Sequence, residues 1–217
     1  MKIGKPSKPP VHGYGLLAEA VGNADEQRPS SIHIDITLRD EIIGSFDRPY
    51  GQPYRGNLAV TTVKGRDFGI IASEYYRVGI ISLPDCTRTF ETNPAIWNED
   101  HVPLGFWTDE RIPGLVFVAW MAWGDPEYKA MATYFWVDGN GQIASPPKCI
   151  GEFAEWPNEV GSIDHLFEFV DVELVEGKTY GWLNVKTNTR RELSDLIYEQ
   201  RHFLNLDSNH VLEDNSR

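Results

Sequence analysis

Cysteine is almost missing from this chain: Cys86 and Cys149 are the only two. They cannot build a disulfide framework and lack the CxxC spacing of zinc or redox sites, so both are expected to be reduced, small and buried. Long apolar runs are also missing. The longest, Leu115 to Trp123, spans nine residues, whereas a membrane-spanning helix needs about 20, so no membrane insertion is expected. Basic charge is scarce, with 20 Lys and Arg against 32 Asp and Glu and a net charge of −12. That balance opposes direct contact with nucleic-acid phosphates or anionic lipid. The opening residues, Met1-Lys2-Ile3-Gly4-Lys5-Pro6, carry lysines without the apolar stretch of a secretion signal, so a cytoplasmic or particle-associated protein is expected.

The usual catalytic signatures are absent as well. There is no GxSxG serine elbow, no P-loop to cradle phosphate and no HExxH zinc helix. Gly13-Tyr14-Gly15-Leu16-Leu17-Ala18 matches the glycine spacing of a dinucleotide-binding turn, but no apolar strand precedes it and no βαβ unit follows. Asp138, Asn140 and Gln142 resemble the start of a calcium loop, yet Ile143 stands where glycine is required and Cys149 where the bidentate glutamate belongs. The histidines, His12, His33, His101, His165, His202 and His210, never fall two to four residues apart. A metal site would need distant groups such as His33, His101 and His165. The sequence therefore assigns no catalytic residue, no metal and no cofactor.

What the chain does have is acid and tryptophan in the same place. Residues 91–176 carry 16 acidic but only three basic side chains, Arg111, Lys129 and Lys148, while the two flanks are nearly neutral. Six of the seven tryptophans also lie there. Trp120, Trp123, Trp136 and Trp182 fall within strand patterns and read as core or sheet-face residues. Trp97, Trp107 and Trp156 fall in proline-bearing connections, beside acids such as Asp109, Glu110 and Glu155, where large aromatics can anchor an interface. Those six residues, Trp97, Trp107, Asp109, Glu110, Glu155 and Trp156, are the candidate interface. With Glu152, the same acids could supply the paired carboxylates of a glycoside hydrolase, with indoles stacking on sugar rings.

Period-two patterns dominate the organisation. Ile32, Ile34, Ile36 and Leu38 alternate with His33, Asp35, Thr37 and Arg39, a half-buried strand. Leu58 to Val63 and Asp67 to Ser73 flank Lys64-Gly65-Arg66 as a hairpin, and Arg77 to Leu83 follows as a third strand. Residues 84–114 hold several prolines and little periodicity, which predicts a long connection. Leu115 to Trp123 and Lys129 to Val137 form the next hairpin, and Asp138-Gly139-Asn140-Gly141 turns into a short strand near Gln142 to Ala144. Leu166 to Val175 and Lys178 to Lys186 pair around Glu176-Gly177, with a bulge where the alternation slips between Phe169 and Val170. A short helix is expected at Leu16 to Val21. A longer one is expected from about Arg190 to His202, opened by the capping box Thr189-Arg190-Arg191-Glu192.

The expected fold is all-β: an antiparallel, jelly-roll-like sandwich or a barrel over residues 32–188, with an extended arm at 1–31 and a C-terminal helix and polar tail at 189–217. The expected function is a non-enzymatic assembly subunit docking to other protein subunits as a homo- or hetero-oligomer, for example in a virion or other large particle. Two alternatives stand beside it: an acidic inhibitor or immunity-type protein covering a basic site on a partner, and a carbohydrate-binding or glycoside-cleaving domain.

Overall fold

The structure is a computed structural model, and it describes residues 11–21, 31–49, 58–74, 77–91, 101–122, 129–144, 147–155, 163–175, 178–189 and 196–205. These residues form fourteen β-strands after a single 3-10 turn at Val11–Gly13: β1 (Tyr14–Val21), β2 (Ser31–Leu38), β3 (Glu41–Pro49), β4 (Ala59–Val63), β5 (Arg66–Glu74), β6 (Arg77–Leu83), β7 (Thr87–Glu91), β8 (His101–Thr108), β9 (Leu115–Ala122), β10 (Lys129–Trp136), β11 (Lys148–Glu155), β12 (Ile163–Val175), β13 (Lys178–Thr189) and β14 (Leu196–Asn205). Every pairing is antiparallel and joins strands adjacent in sequence. The result is four meander sheets: β1-β2-β3, β4-β5-β6-β7, β8-β9-β10-β11 and β12-β13-β14. The Greek-key crossover of a jelly roll does not occur among the described strands. None of the described helical residues forms a helix long and apolar enough to cross a membrane.

The turns explain why the sheets are meanders. Lys64 and Gly65 adopt φ of 50° and 74°, the left-handed pair that lets a two-residue turn follow the twist of its strands. Arg39 and Asp40 do the same between β2 and β3, with φ of 51° and 69°. Neither is glycine, so the sequence carries no hairpin signal there. The Phe169–Asp171 register shift between β12 and β13 leaves Val170 unpaired, the bulge that the alternation predicts.

Several expectations need correction. Tyr14–Val21 is a strand, not a helix, because Leu16 and Ala18 pair with Ile36 and Ile34 and continue their apolar face. The predicted connection at 84–114 contains β7 and β8, recruited to the outer edges of β6 and β9. Near Gln142 to Ala144 there is one bridge, Val137 to Ile143, in place of a strand. The C-terminal helix is replaced over its second half by β14, while residues 190–195 lie outside the described residues. Thr189, the expected cap, is the last residue of β13 and pairs with Leu196. β13 offers β14 a full ladder of hydrogen bonds, and Ile197, Tyr198 and Phe203 suit a strand, so pairing overrides helix propensity.

The first three sheets share one apolar core, drawn from β1, β2, β4, β5, β6, β8, β9 and β10. Ile32, Ile34, Ile36, Phe68, Ile70, Ile71, Ile80, Val116 and Val118 expose nothing to solvent. Each such side chain contributes about 1.5–3 kcal/mol relative to exposure. Close approach at the seams depends on glycine. A Cβ on Gly44 would come within 2.6 Å of the Cys86 Cβ, locking β3 against the β6–β7 turn. A partly buried Cys86 fills that notch, and burial pushes its thiol pKa up. Tyr14, whose pKa is raised by burial and by Asp67, ties the first sheet to the second, where Asp67 also accepts the Thr62 hydroxyl at 2.6 Å.

The second and third sheets are joined by hydrogen bonds. The Gly114 amide donates to Thr61 Oγ1 at 2.8 Å, the Thr108 hydroxyl donates to the Val60 carbonyl at 2.8 Å, and Arg66 reaches the Gly139 carbonyl at 3.2 Å. The first strands of successive sheets also adjoin: β4 lies against β8, and β8 against β12. The parity of β2 yields a direct test. Ile34→Ala is expected to cost about 2–5 kcal/mol, whereas Glu41→Ala, exposed at the start of β3, stays within about 0.5 kcal/mol; urea unfolding of the two variants measures both.

Candidate docking face

Because successive side chains of a strand point to opposite faces, burial of Ile32, Ile34 and Ile36 turns Ser31, His33, Asp35 and Thr37 to the other side of the first sheet. Register then assembles that outward face in four rows. Gly15, Thr37 and Ile42 form the first and Leu17, Asp35 and Ser45 the second; Glu19, His33 and Asp47 form the third and Val21, Ser31 and Pro49 the fourth. The bulge in β3 between Ile42 and Gly44 keeps Ile42 and Ser45 on this face. Thr37 lies over Gly15, where a Cβ would come within 2.6 Å of its hydroxyl.

Two kinds of side chain meet here. Leu17, Val21 and Ile42 are 54%, 46% and 60% exposed, and they are the exposed large hydrophobics among the described residues. Between them sits a polar cluster. His33 Nδ1 lies 2.6 Å from Asp47 Oδ1, and its Nε2 lies 3.2 Å from Asp35 Oδ1. The Ser45 hydroxyl donates to the same Asp35 oxygen at 2.6 Å. Glu19 is the third carboxylate beside His33, across from it on β1. Carboxylates only accept, so both ring nitrogens donate when the imidazole is protonated. The hydrogen bond to Asp47 raises the His33 pKa above its ordinary value, desolvation opposes it, and the charge of Asp35 adds to the rise. Both ring nitrogens of His33 are thus engaged by carboxylates of the same face. Among the described residues no group of three or more His, Cys, Asp or Glu side chains is arranged to hold a metal.

The interface residues picked out by sequence are placed differently. Trp107 is on β8, half-buried, with its indole lying over Gly105, where a Cβ would meet the ring at 2.7 Å. Asp109 opens the turn to β9. It accepts the Arg111 amide at 2.9 Å, and the Arg111 guanidinium grips it at 2.9 and 2.8 Å. That grip holds the Asp109 carboxyl below the usual range, so its role is to shape the turn. Glu110 is exposed beside it. Glu155 ends β11; Trp97 and Trp156 lie outside the described residues.

β8 and β11 are opposite edges of the third sheet, about 14 Å apart at normal strand spacing. Register sets Glu152 opposite Met131 and thus level with Trp120 and Pro103, and Glu155 opposite Lys129 at the far end from Asp109. Five or more residues of strand, roughly 17 Å, separate their levels. Glycoside cleavage needs carboxylates about 5–10 Å apart. The β8 turn acids and the β11 acids are not brought together in that way.

No family model matches the chain, and no curated protein matches it. Among solved structures it is similar to the β-propeller domain of Nup133 from Vanderwaltozyma polyspora, with 11% identity and a TM-score of 0.41. The likeness covers 88% of this chain and 63% of that one.

The His33 cluster has a defined pH signature. A raised folded-state pKa makes the histidine's contribution to stability complete below its unfolded value near 6.5, and that contribution is lost as pH rises through the higher folded value. The urea midpoint is therefore expected to fall from about pH 6 to pH 8. His33→Asn is expected to flatten that decline.

Proposed function

We propose that this chain is a non-enzymatic assembly protein, an acidic β-meander subunit that docks onto copies of itself or other protein subunits through the outward face of its first sheet. One observation carries the reading: Leu17, Val21 and Ile42 share a single face of a three-stranded sheet and are exposed there together. Single exposed apolar side chains are ordinary, but here three stand on one face with a polar cluster between them, a mixed surface that a partner can cover. The acids add selectivity. Glu19, Asp35 and Asp47 lie between the apolar groups, and the acid charge not met by His33 repels other acidic surfaces while attracting basic ones.

The pairing order supports a scaffold suited to this role. Sequential meanders whose first strands adjoin follow the plan of blades set around an axis, an architecture that leaves only short, protected edges. In this reading β4, β8 and β12 are inner strands, and the outward face of the first sheet is a blade face left for a partner to cover.

Light scattering of the purified chain over a concentration series tests the proposal. The expected result is a species heavier than the 24.6 kDa monomer, converted to monomer by Leu17→Ser combined with Ile42→Ser without loss of the thermal transition. A 24.6 kDa mass at every concentration and salt level contradicts self-assembly.

A further inference from the structure

Beyond the docking face, we infer that the outer edge of β1 pairs with β1 of a second copy of the chain, antiparallel about a two-fold axis, so that two three-stranded first sheets join into one. Among the described residues β2 is the only strand paired with β1. The first strands of the later sheets cover one another, β4 lying against β8 and β8 against β12, but β1 stands outside that series; among the described residues it is the turn before it, Val11–Gly13, that lies against β4. Register shows which backbone groups lie on the free side. Leu38 and Glu41 flank the two-residue turn Arg39-Asp40 and form its closing hydrogen-bonded pair. The even residues of β2 therefore bond to β3 and the odd ones to β1. The Arg39 amide, 2.8 Å from the Gly13 carbonyl, continues the odd series. Gly15, Leu17, Glu19 and Val21 thus turn their N–H and C=O groups to β2, and Tyr14, Leu16, Ala18 and Ala20 turn theirs outward.

β1 lacks the devices that blunt an edge. Its ladder with β2 runs without a bulge, and it holds neither proline nor lysine. β3, the opposite edge of the same sheet, carries a bulge after Ile42 and ends in Pro49. The strand is also its own complement. With Leu17 opposite the partner's Leu17, Tyr14 pairs with the partner's Ala20 and Leu16 with the partner's Ala18, and the symmetric pairs complete the ladder. Every outward N–H and C=O of those residues then has a partner. The buried Leu16 stands opposite a small residue, and Leu17, 54% exposed in the monomer, meets its own copy at the close, non-hydrogen-bonded spacing of about 4.5 Å. Glu19, the only charged residue of the strand, falls opposite the partner's Gly15. Other registers do worse. A two-fold axis at Ala18 sets Leu17 against the partner's Glu19 and leaves Tyr14 beyond the ladder, and one at Glu19 sets two carboxylates directly opposite. A shift by a single residue would pair the inner side of one copy with the outer side of the other.

Amide hydrogen exchange of the full chain, read residue by residue at rising protein concentration, tests this. The expected result is protection of the Leu16 and Ala18 amides that grows roughly tenfold or more as the mass rises, while the Leu17 and Glu19 amides, bonded to β2, are protected throughout. Two variants read the register and the backbone. Mild oxidation of Leu17→Cys is expected to give a covalent dimer joined at position 17, since about 4.5 Å between Cα atoms suits a disulfide; Ile42→Cys, on the other edge, is expected not to link to itself, and peptide mapping separates both from links through Cys86 or Cys149. Ala18→Pro removes an N–H that faces solvent in the monomer, a position where an edge strand tolerates proline. That variant is expected to keep the thermal transition and to associate roughly tenfold more weakly or worse. Leu16 and Ala18 amides that stay unprotected in a sample whose mass has risen overturn the edge pairing and leave the docking face standing, as does linkage at position 42 without linkage at 17. Undiminished association of a folded Ala18→Pro chain overturns it too. A monomer at every concentration overturns both the edge pairing and self-assembly through the face.

Discussion

Ile32, Ile34 and Ile36 can all be buried only if His33, Asp35 and Thr37 face the other way, and the outward face of the first sheet follows from that. A one-residue slip of β2 would expose three isoleucines and bury a histidine beside an aspartate. The penalty for such a slip holds the register of β1 and β3 on either side of β2. Register in turn places Leu17, Glu19 and Val21 from one strand and Ile42, Ser45 and Asp47 from the other around His33. The apolar core and the polar, partly apolar exterior are two consequences of one periodicity.

The remaining sheets extend this logic by close approach. Gly44 lets Cys86 press against the first sheet, and Gly114 brings its amide to Thr61 across the second seam. Each contact needs a backbone where a side chain would stand. At Gly114, φ of 88° also demands glycine, and a Cβ would meet the Val137 carbonyl at 2.8 Å. The buried Trp120 indole donates to Thr133 at 2.7 Å. Among the described residues, the Trp136 indole nitrogen is a buried donor without a hydrogen-bond partner.

Many of the strands were legible because period-two alternation and glycine turns are local signals, whereas their order in the sheets was not. β2, the β4–β5 hairpin, β6, the β9–β10 hairpin and the bulged β12–β13 pair all announce themselves in the sequence. β3 was not legible. Its turn is Arg39-Asp40 with no glycine, its bulge breaks the alternation, and Gly44 and Pro49 read as breakers. β1 and β14 failed for another reason: their residues tolerate helix or strand, and a partner edge distant from local propensity decides between them. The outward face of the first sheet was invisible because it is built from three strands, two of them unrecognised. Tryptophan and acid content pointed to residues 91–176, where Asp109 is held by Arg111 and the Trp107 indole lies over Gly105 of its own strand.

The central claim is that the outward face of the first sheet is covered when the protein associates. Photochemical carbene footprinting at increasing protein concentration measures this at individual side chains. The account predicts that labelling of Leu17, Val21 and Ile42 falls together as the mass rises, while exposed Glu110 on the β8–β9 turn stays constant. Labelling of those three residues that is independent of concentration, in a sample whose mass does rise, would contradict it.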